Sequence, residues 1–326
     1  MDLPTELIDG ILEDFPAHRP GTRPVFSSGI SVSGWFQPTD VAGRYTSAAP
    51  LTTEVPVTVR FSNGTGDSGV PDTRRDVRGM AVRFYGGDPR QAALDMVCMT
   101  LPVFPVRSVE SFRELTAAAV PPDPPRPRRW WRDLVDYASL RTPLKDPAPG
   151  DEGLLAFASR HPGSCPALLA YFNQGAPESY ATRSYHAAHA FALTAADGSS
   201  RYARFHWEPV SGVRDTATGS GHFLQDDLRA RVAARNVQFV LRAQIADQGD
   251  DTSDPTRPWP QTRRRVVLGH VSLDGPVHDP AVCEALEFDP HRLPPGIGCD
   301  PADEIFAVRG EAYRASQAWR REQTQP

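Results

Sequence analysis

Two segments in which apolar residues alternate with small or polar ones, separated by a long loop, constrain the fold most. Val55–Phe61 (VPVTVRF) and Met80–Tyr85 (MAVRFY) alternate with a period of two, which is typical of half-buried strands. The intervening segment, SNGTGDSGVPDTRRD, is dense in Gly, Asp and Asn, and these residues favour turns. The sequence therefore predicts two strands joined by an irregular loop.

Similar patterns elsewhere predict an α+β domain built around a β-barrel. Further strands are expected at Gly29–Phe36, Tyr185–Leu193, Tyr202–Trp207, Val237–Ala246 and Arg265–Leu273. Helices are expected at Ser108–Val120, Leu134–Leu140, Leu154–Ser159, Asp226–Asn236 and Ala302–Gln323. Because no break in composition divides the chain, we expect one domain over residues 1–326, with a barrel core at about 23–275 and a final helix at about 302–323.

Composition excludes several classes of partner. The formal net charge is −5, so a general attraction to nucleic acid or to an anionic membrane is not expected. The sequence has no apolar run long enough to span a membrane, and its acidic first twenty residues do not resemble a signal peptide. The four cysteines form no CxxC pair, so we expect free thiols and a cytoplasmic location.

The predicted C-terminal helix carries an unusual set of side chains on one face. Residues spaced three and four apart there are Phe306, Arg309, Tyr313, Ser316 and Arg320. A guanidinium one turn from a phenol favours the phenolate, and phenolate is a known axial ligand of ferric haem. On spacing alone, a surface helix whose Arg and Tyr pack and hydrogen-bond remains the alternative.

A long ungapped stretch carries a family resemblance. Val59–Gly86, VRFSNGTGDSGVPDTRRDVRGMAVRFYG, resembles the catalase signature RFSTVxGxxGSxDTxRDPRGFAxKFY. Upstream, RPVFSSGISVSGWF resembles the family's RxxHxxGxxxxGxF, and downstream, DMVCMTLPVFPVRSVESF resembles DLVGNNTPVFFIRDPxxF. Arg309 and Tyr313 match the family's RxxxY. The chain is similar to the compact catalase-related peroxidases, which implies an antiparallel eight-stranded β-barrel with flanking helices and without the C-terminal flavodoxin-like domain.

The resemblance also implies a haem b with ferric iron and a role for individual residues. Tyr313 would be the iron ligand and Arg309 its charge partner. The propionate carboxylates would be neutralised by three arginines, Arg23, Arg60 and Arg320, which offer bidentate donors. Phe112 would stack near the haem, and Val25 and Phe104 would line its distal side. Asp72, Asp76 and Arg78 are expected to be structural.

Two departures from the family pattern bear on activity. Phe26 stands where the family has its distal histidine, and Met99 stands where it has its distal asparagine; Ser62, the histidine's hydrogen-bond partner, is retained. Losing a positioned acid–base group typically costs about 10²–10⁴ in rate. The resemblance therefore implies very weak catalase turnover in an apolar distal pocket.

Other candidate groups have plainer interpretations. His18 lies eight residues before Phe26 and is expected at the surface, although a loop could fold it inward. Met99 is expected to line the pocket rather than bind iron, because a thioether suits ferric haem poorly. Cys98 is expected to be buried and inert. Three strand histidines are expected to be packing residues: His186, His189 and His206.

Three functions remain open at this stage. The first is a catalase-related peroxidase that uses a peroxide to oxidise a small organic substrate. The second is a haem-dependent isomerase, lyase or dehydratase of an organic substrate, and the third is a non-enzymatic haem-binding protein. Compact members of the family are often dimers, so a homodimer is a possible assembly.

Overall fold

The computed structural model describes residues 21–88, 91–119, 153–216 and 221–324. Its strands are β1 Gly29–Pro38, β2 Val55–Asn63, β3 Arg78–Tyr85, β4 Ala92–Met99, β5 Tyr185–His186, β6 Phe191–Thr194, β7 Ser200–Pro209, β8 Gln238–Ile245, β9 Arg265–Ser272 and β10 Ile297–Cys299. Its α-helices are α1 Ala49–Thr52, α2 Val109–Ala119, α3 Leu154–Arg160, α4 Cys165–Phe172, α5 Leu224–Ala233, α6 Pro280–Ala285 and α7 Glu304–Thr324. None of these helices is long and apolar enough to cross a membrane.

Eight antiparallel strands close into a barrel. The order around the ring is β7-β5-β4-β3-β2-β1-β9-β8, and pairing of β8 with β7 completes it. β5 and β6 pair with successive parts of the same edge of β7, and β10 pairs with β6. The expected eight-stranded barrel with flanking helices is therefore confirmed.

Opposite faces of the barrel wall carry different residues, because neighbours along a strand point to opposite sides. One row crosses β1 to β4 at Ile30, Phe61, Met80 and Cys98, which are all at most 3% exposed and belong to the largest apolar cluster. This row fills the barrel interior. The adjacent row crosses the same strands at Gly29, Ser62, Gly79 and Met99. It faces outward, where Met99 contacts the apolar clusters that include helices α3 and α4.

The structure differs from the predicted elements at β4 and within Tyr185–Leu193, and it adds the short elements α1, α4, α6 and β10. β4 was not predicted, because the buried Asp95 interrupts its apolar pattern; Asp95 is accommodated by Arg83 Nε, which donates to Oδ1 at 3.0 Å, and by Arg292. Instead of the single strand predicted at Tyr185–Leu193, the structure has two short strands, β5 and β6, and His189 lies in the segment between them. The helix predicted at Leu134–Leu140 lies outside the described residues.

Candidate active site

Helix α7 places Arg309 and Tyr313 side by side. Arg309 Nη2 lies 3.4 Å from Tyr313 Oη as a hydrogen-bond donor, and its guanidinium carbon lies 5.7 Å from the centre of the tyrosine ring. The helix begins where Asp303 Oδ1 accepts a hydrogen bond from the Phe306 amide at 2.9 Å, which is an N-cap interaction. The residue pair predicted from the RxxxY spacing is thus positioned on a capped, 21-residue helix.

A buried histidine–carboxylate pair lies behind Arg309. His189 is 1% exposed, and its Nδ1 lies 2.6 Å from Asp303 Oδ2. Burial lowers the pKa of His189 to about 4, against the opposing effect of Asp303, and the charge of Arg309 lowers it further. Its Nε2 has no hydrogen-bond partner among the described residues. The sequence alone predicts His189 to be a packing residue, because 114 positions separate it from Asp303 and no local spacing indicates the pair.

A second group of residues, predicted to form the opposite wall of the site, centres on Phe26. This residue has φ 56°, the left-handed region that non-glycine residues enter at a cost of about 1–2 kcal/mol. Its amide donates to Gly64 O at 3.0 Å, and its carbonyl accepts from Arg60 Nη2 at 3.0 Å. A β-carbon on Gly79 would lie 2.9 Å from Phe26 Cδ1 and 2.7 Å from Ser62 Oγ. The ring of Phe26 and the hydroxyl of Ser62 therefore meet over the bare backbone of Gly79.

The row continues from Gly79 to Met99, His186 and His206 on successive strands. The Nδ1 atoms of the two histidines lie 2.7 Å apart. Burial is the main cause that lowers the pKa of His186 to about 3 and that of His206 to about 4. Both rings are therefore neutral near pH 7, and they form a pair of their own rather than isolated packing residues.

Aromatic and aliphatic side chains lie between these walls. Phe104 and Phe112 stack with centroids 6.1 Å apart. Phe104 also lies 5.6 Å from the guanidinium carbon of Arg309 and 5.7 Å from the His189 ring, so it contacts residues of α7; its predicted place on the distal side stays a prediction. Val25 and Phe112 share one apolar cluster with Val308 and Ala312 of α7.

Three arginines meet at one end of this arrangement. Arg23 and Arg60 contact the carboxylate of Glu284, and Arg320 donates to the Glu284 carbonyl. Gly29 makes room for them, because a β-carbon there would lie 2.5 Å from Arg60 Cζ. The site thus has the Tyr313 oxygen, apolar side chains and, at one end, the three arginines. This combination fits a haem with ionised propionates. His18 lies outside the described residues.

The signature loop has a structural role. Asp72 Oδ2 accepts from the amides of Phe223 and Leu224 at 2.7 and 2.8 Å, which fixes the start of α5. Arg78 Nη1 donates to Asp76 at 3.1 Å and Nη2 to the Asp72 carbonyl at 2.8 Å. Cys98 is 3% exposed, and burial raises the pKa of its thiol.

The chain is similar to known proteins along nearly its whole length. The catalase family model matches residues 5–324. The chain belongs to the catalase family. A catalase-related peroxidase of Mycolicibacterium paratuberculosis is 33% identical over 96% of this chain and 93% of its own length. One from Synechococcus elongatus is 28% identical over 92% of this chain and 84% of its own.

Longer members of the catalase family align as well. Catalase isozyme 2 of Ricinus communis is 28% identical over 95% of this chain, which spans 62% of that protein. A bacterial catalase structure superposes with a TM-score of 0.74 at 21% identity, over 95% of this chain and 59% of the other. At that identity the superposition supports the fold. The similarity to catalases and catalase-related peroxidases indicates a haem enzyme of the peroxidase or catalase type.

Proposed function

We propose that this protein is a haem-dependent oxidoreductase that uses a peroxide to oxidise a small organic substrate and has little true catalase activity. The observation that carries the proposal is the contrast between the two walls. The α7 wall keeps Arg309 beside Tyr313 and a buried His189–Asp303 pair. The opposite wall has Phe26 where the family has its distal histidine, over Gly79 and beside Ser62.

Each side chain has a definite task in this proposal. Tyr313 would bind ferric haem b, which when bound supplies the redox chemistry. Arg309 would orient the tyrosine oxygen, to which its Nη2 donates, while Arg23, Arg60 and Arg320 would bind the propionates. Phe26 and Met99 exclude water from the distal side, and Ser62 offers a hydroxyl donor there. Because no titratable group replaces the missing histidine in the row from Ser62 to Met99, proton transfer to peroxide would be slow.

The same distal wall favours a second candidate function. A haem-dependent isomerase, lyase or dehydratase of an organic substrate needs a pocket that excludes water and makes no demand for peroxide. The ring of Phe26 over Gly79 and the thioether of Met99 provide apolar surface of that kind. Turnover of an organic substrate without added peroxide would favour this alternative over the peroxidase.

Haem titration tests the proposal. The apoprotein is mixed with ferric haem, and the Soret band is recorded for the wild type, Tyr313→Phe and a control, Tyr202→Phe. Tyr202 is a suitable control because it lies on β7, near Asp300 and Cys299. We expect the wild type and the control to give the same high-spin ferric spectrum, and Tyr313→Phe to lose it. Identical spectra from all three proteins would overturn the assignment of Tyr313.

Some aspects of the proposal rest on the sequence alone. A single domain over residues 1–326 stays a prediction, based on the absence of any break in composition, and its haem binding is what the family resemblance implies. A cytoplasmic location rests on the cysteines, all four of which are free thiols in the structure. A homodimer stays a prediction, which the sedimentation velocity of the haem-loaded protein would test.

A further inference from the structure

Two histidines lie side by side on the outer face of the barrel. His186 on β5 is directly opposite His206 on β7, and their Nδ1 atoms lie 2.7 Å apart. The ring centres are 5.0 Å apart, and the ring planes are inclined by 77°. The proposed haem function uses neither ring.

A hydrogen bond between the rings does not satisfy all of their nitrogens. Each neutral imidazole has one donor and one acceptor nitrogen, so one Nδ1 donates and the other accepts. His206 is only 9% exposed, and its Nε2 has no hydrogen-bond partner of ordinary geometry among the described residues, whichever ring donates. Two Nδ1 atoms that face each other are also arranged as two imidazoles that share a metal ion.

Gln244 is placed to support such a metal site. It lies on β8, the strand that pairs with β7, and its Nε2 donates to the Pro260 carbonyl at 2.9 Å. Gln244 also raises the pKa of His206, which is the effect of an acceptor that faces an imidazole N–H. With a metal on Nδ1 the proton lies on Nε2, and histidine ligands ordinarily donate that N–H to an oxygen.

The surroundings favour a soft ion of single charge. Met99 on β4 is directly opposite His186, and opposed residues have β-carbons about 4.5–5.5 Å apart, so its thioether can reach the same point. Thioethers select Cu(I) among the common metal ions. The nearby Arg204 and Arg265 lower the pKa of His206 by their charge, and they would repel a divalent cation more strongly than a monovalent one.

A zinc site is less compatible with this environment. Structural Zn²⁺ is usually held by four Cys, His or carboxylate ligands. In the part of the chain that the structure describes, no group of three or more such residues is found. Two imidazoles and one thioether therefore suit Cu(I) better.

We propose that His186 and His206 bind one Cu(I) ion through their Nδ1 atoms, with the Met99 thioether as the third ligand. A nitrogen–metal distance of about 2 Å requires the two Nδ1 atoms to move from 2.7 Å apart to at most about 4 Å. Rotation of the two rings about their side-chain bonds can supply this change. The inference does not rest on the proposed haem function.

Copper binding to the full chain, purified without a polyhistidine tag, tests the proposal. Cys165→Ser and Cys299→Ser are combined as the background, because these two half-buried thiols would compete for Cu(I). The protein, with and without haem, is titrated anaerobically with Cu(I) against bicinchoninate, and bound copper is counted by elemental analysis. We expect one Cu(I) per chain and a higher melting temperature, since an ion that binds the folded state stabilises it. No uptake against the chelator, or an equal rise in melting temperature with Zn(II), would overturn the proposal.

Substitutions in the same background identify the ligands. His186→Gln and Met99→Leu each remove one donor, and we expect each to weaken Cu(I) binding by at least about 10- to 100-fold, which even an outer-shell partner contributes. His270→Gln, at an exposed position of β9, is the matched control and should bind as the wild type does. Wild-type affinity in His186→Gln or in Met99→Leu would contradict the proposed set of ligands.

X-ray absorption at the copper edge gives a result that does not depend on the folding of any variant. For the protein that carries all three proposed ligands, we expect two nitrogen neighbours at about 2 Å and one sulfur. A shell of sulfur atoms alone would place the copper on cysteines and refute the site.

Discussion

The ring of Phe26 lies against Gly79, whose missing β-carbon would come within 2.9 Å of Phe26 Cδ1. Ser62 Oγ borders the same point. At the position where the family resemblance predicts a distal histidine, the chain thus has a hydrocarbon ring beside the Ser62 hydroxyl.

Phe26→His should restore acid–base chemistry. Histidine is among the residues that tolerate a left-handed backbone, and at φ 56° its ring would stand beside Ser62. We expect oxygen release from hydrogen peroxide to rise by about 10²–10⁴, measured with an oxygen electrode on the haem-loaded protein. Phe26→Leu is the control and should stay inactive; equal rates for the two variants would contradict the proposed role of this position.

Ser62→Ala should weaken ligands bound at the iron. With no histidine as its partner, the Ser62 hydroxyl is a donor on the distal side, and no hydrogen bond to it is found among the described residues. A neutral hydrogen bond contributes about 0.5–1.5 kcal/mol, so the affinity for cyanide should fall by about two- to tenfold in a spectral titration. Ser31→Ala, whose hydroxyl contacts Cys283 Sγ at 3.0 Å, should leave the affinity unchanged. A drop of the same size in both variants would argue against a distal role for Ser62.

Gly29→Ala should disrupt the arginine cluster without changing its charge. The added methyl group would lie 2.5 Å from Arg60 Cζ and 2.7 Å from the Phe61 carbonyl, so the guanidinium would have to move. We expect weaker haem binding and a lower melting temperature, measured by titration and calorimetry. Gly298→Ala in β10 is the matched control, because its methyl group would meet Ala192 Cβ at an ordinary 3.8 Å. Normal haem binding by Gly29→Ala would show that Arg60 does not contribute to the site.

Stability should fall as the pH is lowered from 6.5 towards 4. The folded-state pKa values of His186, His189 and His206 lie at about 3, 4 and 4, below the ordinary value of 6.5. In this pH window the three histidines take up protons in the unfolded chain but not in the folded chain. The free energy of unfolding therefore falls by at most about 1.4 kcal/mol per pH unit for each histidine. Above pH 6.5 these three histidines do not make the free energy of unfolding depend on pH.

Urea unfolding of the apoprotein at several pH values measures this dependence. The groups that face His189 are Asp303, Arg309 and Arg204. Those that face the His186–His206 pair are Arg265, Gln244 and Arg204. His206→Gln should reduce the slope, whereas the exposed His270→Gln should not. A stability that is flat between pH 6.5 and 4 would contradict the buried, neutral state of these rings.

The sequence predicted those parts of the molecule that short-range patterns encode. Period-two alternation located β1, β2 and β3, and the three-four spacing located the face of α7 with Arg309 and Tyr313. β4 escaped prediction because Asp95 interrupts its pattern, and that carboxylate is tolerated only through arginines that arrive from elsewhere. The order of predicted strands and helices indicated a domain built around a β-barrel, and the family resemblance specified eight strands.

The remaining features of the site depend on contacts between distant residues. Glu284 meets Arg23 and Arg60 across 261 and 224 positions, and His189 meets Asp303 across 114. No window of sequence contains both members of such a pair, so their charges and hydrogen bonds became apparent only in the folded chain.

The most direct test of the account follows hydrogen peroxide and oxygen together in the haem-loaded wild type, with and without an oxidisable phenolic dye. A catalase releases one oxygen molecule for every two peroxides consumed, whether or not the dye is present. We predict negligible oxygen release and peroxide consumption that depends on the dye. Rapid oxygen release at the catalase ratio would contradict the account, because it would mean that Phe26 does not disable the distal side.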